Sequence, residues 1–297
     1  MPLINDKQFT YVHDYKEDKH LRHSFNELTQ KVYSFDFEQW YQDGYWNDKC
    51  IPHSLLFENT VVANTSVSMI EFDLFGQKRK YLQLGTVMTA PEFRSMGLSR
   101  FLVDKIMMQW KDRCDLIYLF ANDSVLPFYP KFGFEKVLEY QLSKEIKNGI
   151  PTFSAQKVDM DDSRNRQALI KKIKQAKSFS AFEMTNDNGL IMCHLTFFMK
   201  NDVYYLPEHD TYVIAVFDGD VICLQGVFCA DEIELTEIIP CIMTKEAKKI
   251  ILGFTPKCEN GFEKNVLVEE DTTLFVWGDD ADRLRESKVM FPLISRT

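Results

Sequence analysis

The chain has 297 residues, 45% hydrophobic and 27% charged, ordinary globular proportions that suffice for one large domain or two average ones. A net charge of −9 argues against nucleic acid as a partner, because a phosphate backbone is bound through excess Lys and Arg. No apolar run approaches the ~18 residues of a membrane span, and the polar start Met1-Pro-Leu-Ile-Asn-Asp-Lys7 lacks a signal-peptide layout, so a cytoplasmic protein without a membrane partner is expected.

In chain order, Phe9 to Val12 reads as a strand and Asp14 to Val32 as a helix with Leu21, Phe25, Leu28 and Val32 on one face. Phe35 to Trp46 is acidic and aromatic. Ser54 to Phe75 reads as two strands around Glu58-Asn59, and Tyr81 to Thr89 as a third. Leu98, Phe101, Leu102, Ile106 and Trp110 have helical spacing. Leu116 to Ala121 is a continuous apolar run, the mark of a strand buried on both faces. Pro127 suits the start of a short helix that Gly133 ends, and Phe134 to Leu142 returns as a strand. The first half is therefore a mixed α/β sheet without the regular alternation of a doubly wound fold.

The second half repeats this order weakly. Val158-Asp-Met-Asp-Asp162 and the helical Asn165 to Gln175 echo the first strand and helix, and Tyr212 to Phe228 echoes the hairpin. Glu232 to Met243 is expected as a strand and Lys245 to Leu252 as a shortened helix. Leu274 to Trp277, Asp279 to Lys288 and Val289 to Ile294 then read as strand, helix, strand. The expected division is residues 1–145 and 146–297, joined through the polar stretch Ser143 to Pro151. The halves differ in charge, −2 for residues 1–150 and −7 for the rest, which suits a solvated face in the second half. Seven cysteines, an odd number without a CxxC, read as reduced thiols. His20 and His23 lack a third ligand nearby, and no metal is expected.

The chemistry concentrates in Val87-Met-Thr-Ala-Pro-Glu-Phe-Arg-Ser-Met-Gly-Leu-Ser99. Here a strand runs through Val87, Met88 and Thr89 into the turn Arg94, Ser95, Met96, Gly97, Leu98 and Ser99, which opens a helix. Free N–H groups in a helix's first turn attract phosphate, Gly97 removes a Cβ that would obstruct it, and Arg94 adds charge-assisted hydrogen bonds. Alone, such a turn is a weak signal; Asn122 and Tyr129 follow on the next strand and short helix and strengthen it.

These residues resemble the GNAT superfamily of acyl-CoA-dependent N-acyltransferases, over about residues 9–142 and most strongly over 84–136. The resemblance implies a GNAT-like fold and acetyl-CoA as co-substrate. It implies that Arg94 to Ser99 hold the pyrophosphate, that Val87 to Thr89 pair with the pantetheine, that Asn122 holds the pantetheine arm and that Tyr129 protonates the leaving thiolate. Ser99 departs from the family's final Gly or Ala, which weakens phosphate binding. The second half has no such turn and is expected to be a degenerate GNAT-like copy that walls the acceptor pocket or makes a homodimer contact.

The expected reaction is direct attack of a neutral primary amine, small or peptide-borne, on the thioester through a tetrahedral intermediate. Backbone N–H near Met88 is a candidate oxyanion donor. Tyr129 either donates the proton or packs against the coenzyme. No general base is evident; Glu71 and Asp73 are candidates, as is a water chain. Trp40, Tyr41, Tyr45 and Trp46, with nearby acids, form either a cage for a cationic amine or a helix packed inward. Two rivals remain open at this level: a non-catalytic acyl-CoA-binding or scaffold protein, and a phosphate-ligand module unrelated to coenzyme A.

Overall fold

A computed structural model describes residues 3–4, 7–146 and 153–297. Its organising feature is a pair of mixed sheets. A short hairpin, β1 (Leu3–Ile4) and β2 (Lys7–Gln8), precedes them. The first sheet is built from β3 (Thr10–His13), β4 (Cys50–Phe57), β5 (Thr60–Leu74), β6 (Gln77–Thr89), β7 (Leu116–Ala121) and β8 (Glu135–Lys136). The second contains β9 (Tyr140–Glu145), β10 (Gln156–Lys157), β12 (Val203–Leu206), β13 (Thr211–Asp218), β14 (Val221–Phe228), β15 (Lys249–Leu252) and β16 (Glu263–Val266). Two strands from the second half return to the first sheet. β11 (Phe182–Thr185) pairs with the far end of β5, and β17 (Thr273–Trp277) lies between β7 and β8. The described part of the expected join, Ser143–Ile146, is the end of β9, a strand of the second sheet; residues 147–151 lie outside the described residues.

The local causes are readable. Glu58 and Asn59 both adopt positive φ, 49° and 64°, the conformation a two-residue hairpin demands. Asp18 caps α1 (Lys19–Tyr33) by accepting from the N–H groups of His20 and Leu21, so the helix starts later than the apolar pattern alone indicates. α2 (Glu38–Gln42) is one short turn, and α3 (Leu98–Trp110) buries Leu98, Leu102, Val103 and Ile106 against the first sheet. In the second half, α4 (Ser163–Gln175) and α5 (Asn188–Cys193) lead into a π-helical turn, His194–Phe198.

Three expectations are overturned. Glu232–Met243 contains not a strand but α6 (Leu235–Cys241), because Glu234 and Glu237 form a reciprocal capping box. Lys245–Leu252 ends not in a helix but in β15, which runs parallel to β14. After α7 (Ala281–Ser287), residues 289–294 are not a strand; Pro292 has no N–H to give a ladder, and the segment is buried as coil ending in a 3-10 turn, Leu293–Ser295. One hydrophobic core joins the halves: Phe72, Tyr81 and Tyr118 of the first sheet meet Phe182 and Phe291, with the Tyr118 and Phe291 rings stacked at 4.2 Å.

Candidate active site

The site begins with an irregularity in β6. Opposite β5, Asn64 pairs with Met88 and Ser66 with Gly85, leaving β6 one residue too long. The excess is taken up at Thr86, whose φ is 47°. A buried chain of polar groups fixes the bulge: Asn64 Nδ2 donates to the Thr86 carbonyl at 2.9 Å, Ser54 Oγ donates to Asn64 Oδ1 at 2.9 Å, and Tyr15 Oη lies 2.6 Å from Ser54 Oγ. On its other side β6 pairs with β7 over Tyr81–Gln83 alone. Beyond Gln83 the two parallel strands part, and the backbone of residues 84–89 borders the resulting cleft.

At its end β6 passes through a 3-10 turn, Pro91–Phe93, into the Arg94–Ser99 turn. Ser95 and Gly97 have φ of 62° and 86°, so the main chain takes the left-handed conformation twice in the turn. No side chain caps α3, and a Cβ built on Gly97 meets nothing within 4 Å. Arg94 is exposed, its Nε donating to the Thr89 carbonyl at 3.4 Å. Ser99 Oγ lies 2.9 Å from Thr89 Oγ1, so this serine spends part of its hydrogen-bonding capacity inside the turn. An uncapped helix start, a tightly turned main chain and open space at Gly97 fit a pyrophosphate.

Tyr129 is 4% exposed and packs on Phe128, Phe134 and Phe275. Burial pushes its phenol well above the usual range, and the nearby Tyr33 phenol pushes it the same way. Tyr33 Oη donates to the Val87 carbonyl at 2.8 Å, so both phenols lie near the bulged end of β6. Asn122 follows β7 directly, and its Nδ2 donates to Asp271 at 2.8 Å. The structure thus places Val87, Met88, Thr89 and the Arg94–Ser99 turn at the bulged end of β6, Asn122 at the end of the neighbouring β7, and Tyr129 near Tyr33 on the same side.

It does not gather the rest. Glu71 lies five residues along β5 from Ser66, about 17 Å at strand rise, and accepts from Asn186. Asp73 accepts from the Gly76 N–H in a turn. Trp40 and Trp46 are buried and stacked at 5.3 Å, with Trp40 Nε1 donating to the Gly189 carbonyl. Tyr41 lies under the Arg22 guanidinium and donates to Glu17. Tyr45, half-buried, packs against the core shared by both halves. These aromatics make a core instead of a cage, because the second half covers the face that the acidic run left open.

Two groups near the cleft had no sequence signal, since their contacts span more than a hundred residues. Residues 289–297 thread under the strand split: Arg296 is paired with Glu139 at 3.1 Å and Glu269 at 2.5 Å and lies over the Phe120 ring, and Gln83 Nε2 donates to the Thr297 carbonyl at 3.5 Å. A Cβ on Gly85 would fall 2.4 Å from Thr297 Oγ1, which explains a glycine there. His194 Nε2 donates to the Arg296 carbonyl at 2.7 Å. Burial pushes His194 down to about 4, which makes it neutral and a poor proton acceptor. The second group is aromatic. Tyr33, Phe35, Phe197 and Phe198 form a contiguous set with ring centroids 5.5–6.1 Å apart, and Phe198 is 54% exposed. Among the described residues no cluster of three or more His, Cys, Asp or Glu is placed to hold a metal, and no helix is long and apolar enough to cross a membrane.

Residues 15–134 match the acetyltransferase (GNAT) family model. This stretch is a GNAT acetyltransferase domain. Around it the fold extends further: a probable N-acyltransferase from Enterococcus faecalis V583 superposes over 91% of this chain and 72% of its own, at 11% identity and TM-score 0.59. A GCN5-related N-acetyltransferase from Kribbella flavida covers 91% and 71% at 12% identity and TM-score 0.55. Eis1 from Mycobacterium abscessus covers 90% and 72% at 12% identity and TM-score 0.53. At such identity the likeness is one of fold. No curated protein matches the sequence.

Outside the GNAT domain, the second sheet has a parting of its own. β14 and β15 are parallel over Val221–Leu224 and Lys249–Leu252 and then separate. Here residues 177–181 bridge the gap: Lys177 N–H donates to the Cys229 carbonyl, Ala181 N–H to the Thr255 carbonyl, and Lys257 N–H to the Phe179 carbonyl, and a cavity remains at its mouth between Lys177–Phe179, Glu232–Glu237 and Lys257. The approach to α6 and its first turn carry Glu232, Glu234 and Glu237 and no Arg or Gly.

Proposed function

We propose that this protein is an acyl-CoA-dependent N-acyltransferase that moves an acetyl group from acetyl-CoA to a primary amine. The observation that carries the reading is the conjunction in one cleft of the parted β6 and β7, the uncapped Arg94–Ser99 turn and the buried Tyr129. Acetyl-CoA supplies the activated thioester. The chain's part is to hold the pyrophosphate at residues 94–99, to line the arm with the backbone of residues 84–89 and Asn122, and to donate a proton from Tyr129 to the departing thiolate. A phenol raised above its usual range stays protonated at every physiological pH, so the proton is in place, while the same shift makes the phenol a weaker acid.

The acceptor enters past the aromatic set of Tyr33, Phe35, Phe197 and Phe198, which favours an amine with an apolar or aromatic body. The second parting, which has acids and no Arg or Gly at its turn, takes no coenzyme, and residues 146–297 serve as wall and support. The scaffold reading keeps one supporting observation, the depressed basicity of His194 beside the cleft.

Turnover separates the two. Acetyl-CoA should raise the midpoint of thermal unfolding, and a panel of primary amines should release free thiol from it. Gly97→Val should abolish the thermal shift, since a branched residue at positive φ both strains the turn and blocks it. Tyr129→Phe should lower kcat on the order of 10²-fold with coenzyme affinity unchanged. A thermal shift without thiol release from any amine would favour the scaffold, and no shift would remove the coenzyme reading.

A further inference from the structure

Asn122 is reached from the far half of the chain. β17 runs antiparallel to β7 with Thr273 opposite Ala121, and this register delivers Asp271, two residues earlier, beside Asn122 and Asp123. One Asp271 carboxylate oxygen accepts from Asn122 Nδ2 at 2.8 Å and the other from the Asp123 N–H at 2.6 Å. Asp271 takes a left-handed φ of 54° to make this contact, a conformation uncommon outside glycine. The two donors hold its carboxyl below the usual range, Asn122 being the larger influence.

A primary amide has an accepting and a donating end, and its terminal torsion is soft, so an unrestrained asparagine offers a ligand either end. A carboxylate accepts only. With Asp271 against it, Asn122 must direct Nδ2 toward the carboxylate and leave Oδ1 on the opposite side. The pantetheine arm is uncharged and carries amide N–H groups that need an acceptor, so a neighbouring carboxylate does not repel it.

We propose that Asp271 is a positioning residue for the acyl-CoA cleft: by holding the amide nitrogen of Asn122 it presents Asn122 Oδ1 to an amide N–H of the pantetheine arm. This rests on reading the parted β6 and β7 as the acyl-CoA site. The second half thereby contributes to coenzyme binding without a coenzyme motif of its own.

The test is calorimetric titration of the full chain with coenzyme A, and separately with adenosine 3′,5′-bisphosphate, which lacks the pantetheine arm. Asp271→Ala removes an exposed side chain. It should weaken coenzyme A binding about 5–10-fold, the scale of one oriented hydrogen bond, and leave bisphosphate binding unchanged. Asp271→Asn keeps one accepting oxygen and should fall between. In an Asn122→Ala background the Asp271→Ala loss should vanish, because Asp271 acts through that side chain. Unchanged coenzyme affinity, tighter binding, equal loss for both ligands, or a loss that persists without Asn122 would each overturn the proposal. If the parent chain bound neither ligand, the coenzyme reading itself would fail, an outcome distinct from these four.

Discussion

His53 has no exposed surface, with Tyr11 Oη 2.6 Å from its Nδ1 and the His13 ring stacked on it. Burial, and then the proximity of His13, push it down to about 4. The folded chain therefore refuses a proton that the unfolded chain accepts below about 6.5, so this histidine withdraws stability as pH falls from about 6.5 to 4, by up to about 1.4 kcal/mol per pH unit. Glu139 acts in the opposite sense: burial raises it to about 7 against the pull of Arg296, so the folded form holds its proton longer and stability falls as pH rises toward 7. Glu139 opposes His53 in the parent curve and His194, also lowered to about 4, adds to it, so His53 is read as a difference. In urea unfolding, the stability gap between the parent and His53→Gln should narrow as pH drops from 6.5 to 4.5. A constant gap would mean that His53 titrates normally. Neither group is signalled in the sequence, because a histidine on β4 is indistinguishable in pattern from one at the surface. Gly97 was legible, since a glycine between a strand and a helix has few other uses.

Among elements, the strand–turn–helix from β6 to α3 and the hairpin at Glu58-Asn59 follow from local chemistry, and both were readable. The bulge at Thr86 was not, since the side chains that fix it, Asn64, Ser54 and Tyr15, come from three separate stretches of chain. Trp40 and Trp46 were equally opaque: whether such residues face solvent depends on Gly189, about 150 positions on. The π-helical turn His194–Phe198 lay inside an apolar run whose geometry no periodicity distinguishes. π turns recur at functional sites, and this one leaves Phe197 and Phe198 exposed beside Phe35, clear of the core. Alanine at both positions should raise the amine KM several-fold, most for acceptors with an apolar body, while acetyl-CoA binding and thermal stability stay as in the parent. A drop confined to kcat would place the pair at the chemistry and not at acceptor entry.

At the scale of the molecule, the halves that composition suggested are interleaved. β9 leaves the first half for the second sheet, and β11 and β17 come back. Phe291, 1% exposed, seals the junction against Phe72, Tyr118 and Phe182. Phe291→Ala should cost about 3–5 kcal/mol, the range for a buried phenylalanine. Trp40 and Trp110 lie on α2 and α3, Trp46 in the loop after α2 and Trp277 on β17 within the first sheet, so their fluorescence reports chiefly the first sheet and its surroundings. The Phe291→Ala loss should nevertheless appear in tryptophan fluorescence and far-UV circular dichroism at the same urea concentration. A fluorescence transition unmoved by the substitution would show that the halves unfold independently.

The insertion of β17 between β7 and β8 also sets a clock. A ribosome delivers the GNAT residues 15–134 first, yet β7 lacks a neighbour on that side until residue 277 has emerged, and Asn122 waits on residue 271. During synthesis, the half that matches the family model is the half that cannot finish itself. Its nascent edge is a stretch on which chaperones would be expected to act.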